Sequence, residues 1–131
     1  MTEDASTHAA DGAGWDETVL LDGDHLDGFT AGDPDVTAAV LSVFLEQAEQ
    51  HLAALARADG DWSDRAHRLK GAARSIGAWR LAAAAARAEH LGAAPSGPAR
   101  QSVLDDLSGR MGLTLDAVRD RLAAIGQPGD H

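Results

Sequence analysis

The run His67-Arg68-Leu69-Lys70-Gly71 places an imidazole, an ammonium and a bare backbone position within one turn of a helix. Those three groups suit phosphoryl chemistry. An imidazole, with an ordinary pKa of about 6.5, offers an unprotonated nitrogen as a nucleophile near neutral pH. When one ring nitrogen takes a phosphoryl group, the other remains an N–H donor. The added negative charge calls for a cation close by, and Lys70, one turn on, is the only lysine in the chain. Arg74 adds attraction from further along the same face. Gly71 costs about 1 kcal/mol relative to alanine inside a helix, so in a chain this rich in alanine it reads as clearance for a partner's backbone or loop. His8, His25, His51, His90 and His131 lack such company and read as surface residues. In-line transfer needs positioning and charge neutralisation around phosphorus, and a convex helix supplies little of either. A partner must bring the rest.

The elements that hold these residues are legible from apolar spacing. Asp33-Pro34, with Asp as N-cap, Pro at the first helical position and Asp35 behind it, starts a long helix. Its stripe of Val36, Val40, Phe44, Ala48, Leu52 and Leu55 ends near Asp59-Gly60. A second helix starts between Asp61 and Asp64 and runs to Gly77. At about 100° per residue, Trp62, Leu69, Ala73 and Ile76 lie between about 120° and 180° from His67, while Lys70, Gly71 and Arg74 lie within about 60° of it. His67 therefore points away from the core stripe. A third, alanine-rich helix spans about Trp79 to Leu91, with Leu81, Ala84, Ala85, Ala88 and Leu91 on one side. After the break at residues 93–98, a fourth carries Leu104, Leu107, Met111, Leu115, Val118, Leu122 and Ile125, with Gly109 and Gly112 weakening its middle. Residues 15–29 hold Leu20, Leu21, Leu26 and Phe29 broken by Gly23 and Gly28, which suits a short capping helix. The expected fold is all-α: an antiparallel up-down-up-down four-helix bundle with a short N-terminal capping helix. The domain is placed at residues 15–125, between polar, aperiodic segments at 1–14 and 126–131 that read as disordered.

Composition supports this and narrows the function. The chain has 131 residues, one domain's worth, with 4% aromatics and no cysteine, which excludes disulfides and thiolate metal sites. No apolar run approaches the roughly 20 residues of a membrane span, and the first 30 residues lack the basic region of a secretory signal. A cytoplasmic protein with no membrane partner is expected. The formal charge is −10, but residues 1–56 carry twelve acids and no Lys or Arg, while residues 57–131 carry nine acids and eleven bases. That pattern argues against nucleic acid as a partner. With no nucleotide-binding glycine loop and no magnesium-binding carboxylate cluster, ATP is not expected as a substrate.

Residues 66–77, AHRLKGAARSIG, resemble the histidine-containing phosphotransfer (HPt) domain motif H-x-L-K-G with its glycine at the helix end. The similarity extends to Asp33-Pro34 with Phe44-Leu45-Glu46 and to Gly77-Ala78 with Leu81, covering roughly residues 20 to 125. Members are four-helix bundles that accept a phosphoryl group from a receiver aspartyl-phosphate and pass it to another receiver. The resemblance implies His67 as phosphoacceptor, through Nε2, Lys70 as the cation on the phosphoryl group and Gly71 as docking clearance. It also implies Glu89 as a residue outside the reacting set, alongside the Arg74 already noted: members often carry a polar group at the Glu89 position that bonds the other ring nitrogen. A carboxylate at Glu89 would orient the ring and raise its basicity; otherwise it is an exposed acid paired to an arginine. Where many members have Ser or Asn after the glycine, this chain has Ala72 and Ala73, which removes hydroxyl contacts near the site.

Three functions follow in order. The first is a stoichiometric phosphocarrier of a multistep two-component relay, not an enzyme, with no cofactor or metal of its own and magnesium only on the partner. The partners are response-regulator receivers, such as that of a hybrid histidine kinase, met through the first two long helices around His67 by a free-standing monomer. The second is a binding module of the same fold that regulates a kinase or response regulator without being phosphorylated. The third, a metal-carboxylate bundle enzyme, lacks the Glu-x-x-His pairs such sites use, Glu89-His90 being adjacent.

Overall fold

The computed structural model describes residues 15–57 and 61–126. Among them are five helices and no strand: α1 (Gly23–Thr30), α2 (Pro34–Arg57), α3 (Trp62–Ser75), α4 (Trp79–His90) and α5 (Gly97–Ile125). Helices α2 to α5 form a ring in which α2 touches α3 and α5, and α4 touches α3 and α5. This is the expected antiparallel bundle, with α1 packed on α2 as the short additional helix. The sequence expectations for residues 1–14, 58–60 and 127–131 lie outside the described residues.

Asp33 caps α2 as its sequence demands. Its Oδ1 accepts from the backbone N–H groups of Asp35 at 2.9 Å and Val36 at 3.4 Å, and Pro34 opens the helix. The buried stripe is rotated from the expected one. Thr37, Leu41, Phe44, Ala48 and Leu55 are buried, whereas Val36 is 43% exposed and Val40 and Leu52 are half-buried. The cause is α1. Its last residue, Thr30, shares a 2.8 Å hydroxyl bond with Thr37, in which one of the two donates and the other, as acceptor, gives its own proton to its helix carbonyl, Leu26 for Thr30 or Asp33 for Thr37. Two threonines thus sit in the core with their polar atoms satisfied, and α2 is turned so that Val36 faces out.

Helices α3 and α4 pack most extensively on each other. Every residue of α4 from Leu81 to Ala86 is buried, as is Ala88, so nearly its whole circumference, rather than one side, meets protein. Small alanine side chains allow that close approach. Leu91, expected on the apolar side, is 51% exposed because the helix ends at His90. Trp62, fully buried at the start of α3, donates its Nε1–H to the Ala88 carbonyl at 2.8 Å. That bond fixes the axial register of α3 against α4. Helix α5 runs unbroken through the exposed Gly109 and Gly112, burying Leu107, Met111, Thr114, Leu115 and Val118.

The α3–α4 turn is held by the segment before α1. Gly77 has φ +76°, and its carbonyl accepts from the Asp22 N–H at 2.9 Å. A Cβ on Gly77 would lie 2.8 Å from Asp22 Cβ and 3.0 Å from Asp22 O. Asp22 itself caps α1 through Oδ1, at 3.1 Å from the His25 N–H, and accepts from Trp79 Nε1 through Oδ2 at 2.8 Å. Gly77→Ala combines a left-handed backbone with a backbone clash, and is expected to cost about 1–3 kcal/mol of folding stability. Urea unfolding followed by circular dichroism measures it; an unchanged midpoint would refute the strain.

Candidate functional site

His67 sits midway along α3, between the turn fixed by Trp62 and the turn fixed by Gly77. Its side chain is 61% exposed, and Nδ1 lies 2.9 Å from Glu89 Oε2 on α4. The ammonium of Lys70 lies 2.7 Å from the other oxygen of the same carboxylate, Oε1. One half-buried glutamate thus joins the imidazole and the sole lysine. Its position follows from the register: Ala88, the acceptor for Trp62, is the preceding residue, so the bond that locks α3 to α4 also aims Glu89 at His67.

Burial alone would raise the Glu89 carboxyl, but the Lys70 ammonium and the His67 ring together outweigh it and hold it below the ordinary carboxylate range. Glu89 is therefore ionised at neutral pH and can only accept. The shared hydrogen atom accordingly belongs to Nδ1, which leaves the Nε2 lone pair free of any partner among the described residues.

Lys70, whose helical angle near His67 places it on the outward side, is buried instead. It is 8% exposed, with its stem packed between α3 and α4 and its charge on Glu89. The physical reason is the small α4 surface beside it, which leaves room for four methylenes while the ammonium reaches a carboxylate. The alternative for Glu89, an exposed acid paired to an arginine, does not occur, since its partners are His67 and Lys70. Gly71 is exposed, and a Cβ there would meet nothing within 4 Å, so the fold itself does not require glycine. Arg74 is exposed at the last turn of α3 and makes no contact with the His67–Glu89–Lys70 group. The neighbouring Arg68 pairs with Asp64 at 3.3 Å, both side chains about 60% exposed, a contact of little energetic weight.

His51, expected at the surface, is half-buried between α2 and α3. Burial, and then the charge of Arg68, lower its pKa. The signal was present in the spacing: Leu41, Phe44, Ala48, His51 and Leu55 follow steps of three and four.

These shifts set a pH dependence. A histidine with a depressed folded pKa, like an acid with one, has stability that is present above its unfolded pKa and lost as pH falls through the folded value. His51 therefore predicts a first loss below about pH 6.5. A second follows below about pH 4 from Glu89, from Glu17, held low by hydrogen bonds from Arg87 and Arg110, and from Asp22, held low by the Trp79 N–H. Urea midpoints at about pH 7.5, 5.5 and 3 (at least one unit either side of each step) test this, and His51→Gln should flatten the first interval only.

Comparison with known proteins agrees with the geometry. The family model of the Hpt domain matches residues 39–127, which include the whole of α3 and α4, and the chain belongs to that family. Hpt domains are histidine phosphotransfer carriers of two-component phosphorelays and interact with receiver domains of response regulators. Neither the curated proteins nor the solved structures contain a match to the chain. No helix among the described residues is long and apolar enough to cross a membrane.

Proposed function

We propose that this chain is a cytoplasmic, monomeric phosphocarrier that takes a phosphoryl group onto His67 from a receiver aspartyl-phosphate and delivers it to a second receiver. The observation that carries the reading is the division of labour on one ring: Nδ1 held by an ionised Glu89, Nε2 without a partner among the described residues on an exposed side chain. In the forward step the Nε2 lone pair attacks phosphorus, the N–P bond forms, and the P–O bond to the receiver aspartate breaks, leaving a carboxylate. The ring keeps its Nδ1 proton and becomes cationic, and the Glu89 carboxylate faces that developing charge at 2.9 Å. Return to a second receiver is the same exchange in reverse.

Lys70 supplies a positive charge that reaches the carboxylate from the next turn of α3. As the phosphoryl oxygens arrive, its ammonium is the nearest cation able to trade part of the Glu89 contact for them. Gly71 leaves the approach beside the ring clear. No cofactor of its own is part of this reading; magnesium belongs with the receiver. Incubation with a panel of phosphorylated receiver domains, read by intact mass, tests it. An acid-labile, base-stable phosphoryl group on the wild-type chain is the expected result, and the absence of labelling by every receiver would overturn it.

A further inference from the structure

Between α2 and α3 two recesses of about 370 and 410 Å3 adjoin and share Gln47 and His51. Their chemistry is opposite. The first is walled by Phe29, Val40, Val43, Phe44 and Ile76, and Phe29 and Val43 are 57% and 49% exposed. The second is walled by Arg57, Arg65 and Arg68 with Gln50, and no carboxylate among the described residues lines it. Arg57 and Arg65 show no ion pair among the described residues, and Arg68 has only the exposed Asp64.

Three guanidinium groups that line one recess without a counter-charge repel one another, and their planar forks fit the oxygens of a carboxylate or phosphate. His51, on the wall of both recesses, registers their field: burial, and then the charge of Arg68, lower its pKa. Small-molecule sites typically enclose about 300–1,000 Å3 and are mostly apolar, with a few polar groups that fix orientation. An apolar recess opening onto a cationic one matches a molecule with the same two characters in the same order.

We infer that the paired recesses bind a free, single-chain anionic amphiphile, its alkyl chain along Phe29, Val40 and Val43 and its carboxylate or phosphate head between Arg57, Arg65 and Arg68. A bilayer does not fit, since a chain of net charge −10 is repelled by an anionic membrane surface. Because Arg68 follows His67 directly in α3, the bound head places negative charge beside the imidazole, where it opposes an incoming phosphoryl group. The ligand is thereby a brake on phosphoryl uptake. The brake rests on the phosphotransfer reading, and the binding site does not.

The full chain is titrated with decanoate, decyl phosphate, inorganic phosphate and decanol, below the concentrations at which the amphiphiles form micelles, and followed by calorimetry and NMR. Decanoate and decyl phosphate are expected to bind at least about tenfold more tightly than inorganic phosphate, a factor that burial of about two methylenes supplies, and at least about tenfold more tightly than decanol, which has no charge for the arginines. Both should raise the pKa of His51, read from its ring C–H resonances, because a nearby anion favours the protonated ring. The tighter of the two identifies the head group and upholds the site. Arg65→Glu should weaken both amphiphiles about tenfold. Arg119→Glu, the same charge change on α5 at an exposed residue paired only with Asp116 among the described residues, should shift them less than about twofold. Val43→Ser should weaken the amphiphiles about threefold and leave inorganic phosphate unchanged. Equal binding of decanol and decanoate, an unmoved His51, or equal effects of the two arginine variants would overturn the site. Capture of the protein by anionic phospholipid vesicles with no binding of either amphiphile would overturn it too. Saturating decyl phosphate is expected to slow the labelling of wild-type His67 by a phosphorylated receiver at least about tenfold, and that of Arg65→Glu much less at the same ligand concentration. Binding without slowing overturns the brake and upholds the site. A wild-type chain that binds decyl phosphate yet is labelled by no receiver in its absence upholds the site and overturns the carrier reading, and the brake with it.

Discussion

Replacing His67 with glutamine is expected to abolish phosphoryl uptake, by more than about a thousandfold against any receiver that labels the wild type. Glutamine is the informative choice, because its amide N–H can still donate to the Glu89 carboxylate while it offers no nucleophilic ring nitrogen. The fold should not notice. The His67 side chain is 61% exposed and its one polar partner among the described residues is Glu89, so stability should move by no more than about 0.5 kcal/mol. Intact mass after incubation reads the phosphoryl group, and urea unfolding reads the fold. A phosphoryl group that persists on His67→Gln would place the acceptor elsewhere and end the mechanism given above. The same variant separates a carrier from a binding module: a module that acts by docking alone would keep its effect on the pathway.

The second large effect is expected at Lys70, and its burial dictates the variant. Methionine fills the same slot without charge, so Lys70→Met tests the ammonium rather than the packing. Removing one charge that stabilises the transferring group typically lowers a rate about 10²- to 10³-fold, and uptake on His67 should fall within that range. Glu89 would then lose one of its two partners, and burial would push its carboxyl upward from its present lowered value. The half-buried carboxylate should also cost stability in the single variant. Adding Glu89→Gln removes that unpaired charge, so the double variant is expected to regain stability without regaining rate. Recovery of both together would mean that Lys70 only maintains the fold, and transfer at the wild-type rate in Lys70→Met would remove it from the chemistry.

Glu89 ties these two results together. In the observed arrangement it is a positioning residue for the ring and a resting partner for the lysine, at 2.9 and 2.7 Å. A glutamine there would keep the bond to Nδ1 but not the negative charge facing the cationic phosphorylated ring. Ala72 is half-buried and Ala73 lies in the core, at the positions after Gly71 where the resemblance implies Ser or Asn.

Much of this was legible in the chain itself. The four long helices, the Asp33-Pro34 start, the outward direction of His67 and the spacing of Lys70 and Gly71 all follow from local rules: capping chemistry, glycine and proline positions, and a period of 3.6 residues. Such rules act over a turn or two and need no knowledge of the neighbours. They fail where a neighbour decides. Val36 was assigned to the core, yet Thr37 occupies it, because a hydroxyl of α1 pairs with it. Lys70 lies near His67 in helical angle, yet it is buried, because the alanines of α4 leave space beside it and Glu89 offers a counter-charge. The bond from Glu89 to His67 spans 22 residues of sequence and depends on the sliding register of two helices, which is set by Trp62 reaching the Ala88 carbonyl. Periodicity gives the angle of a side chain about its own axis and is silent on the axial offset between helices. The sequence alone therefore determined that His67, Lys70 and Gly71 share one face of a helix, and the tertiary packing decided which carboxylate holds the ring, because that choice depends on a translation between helices that no single helix encodes.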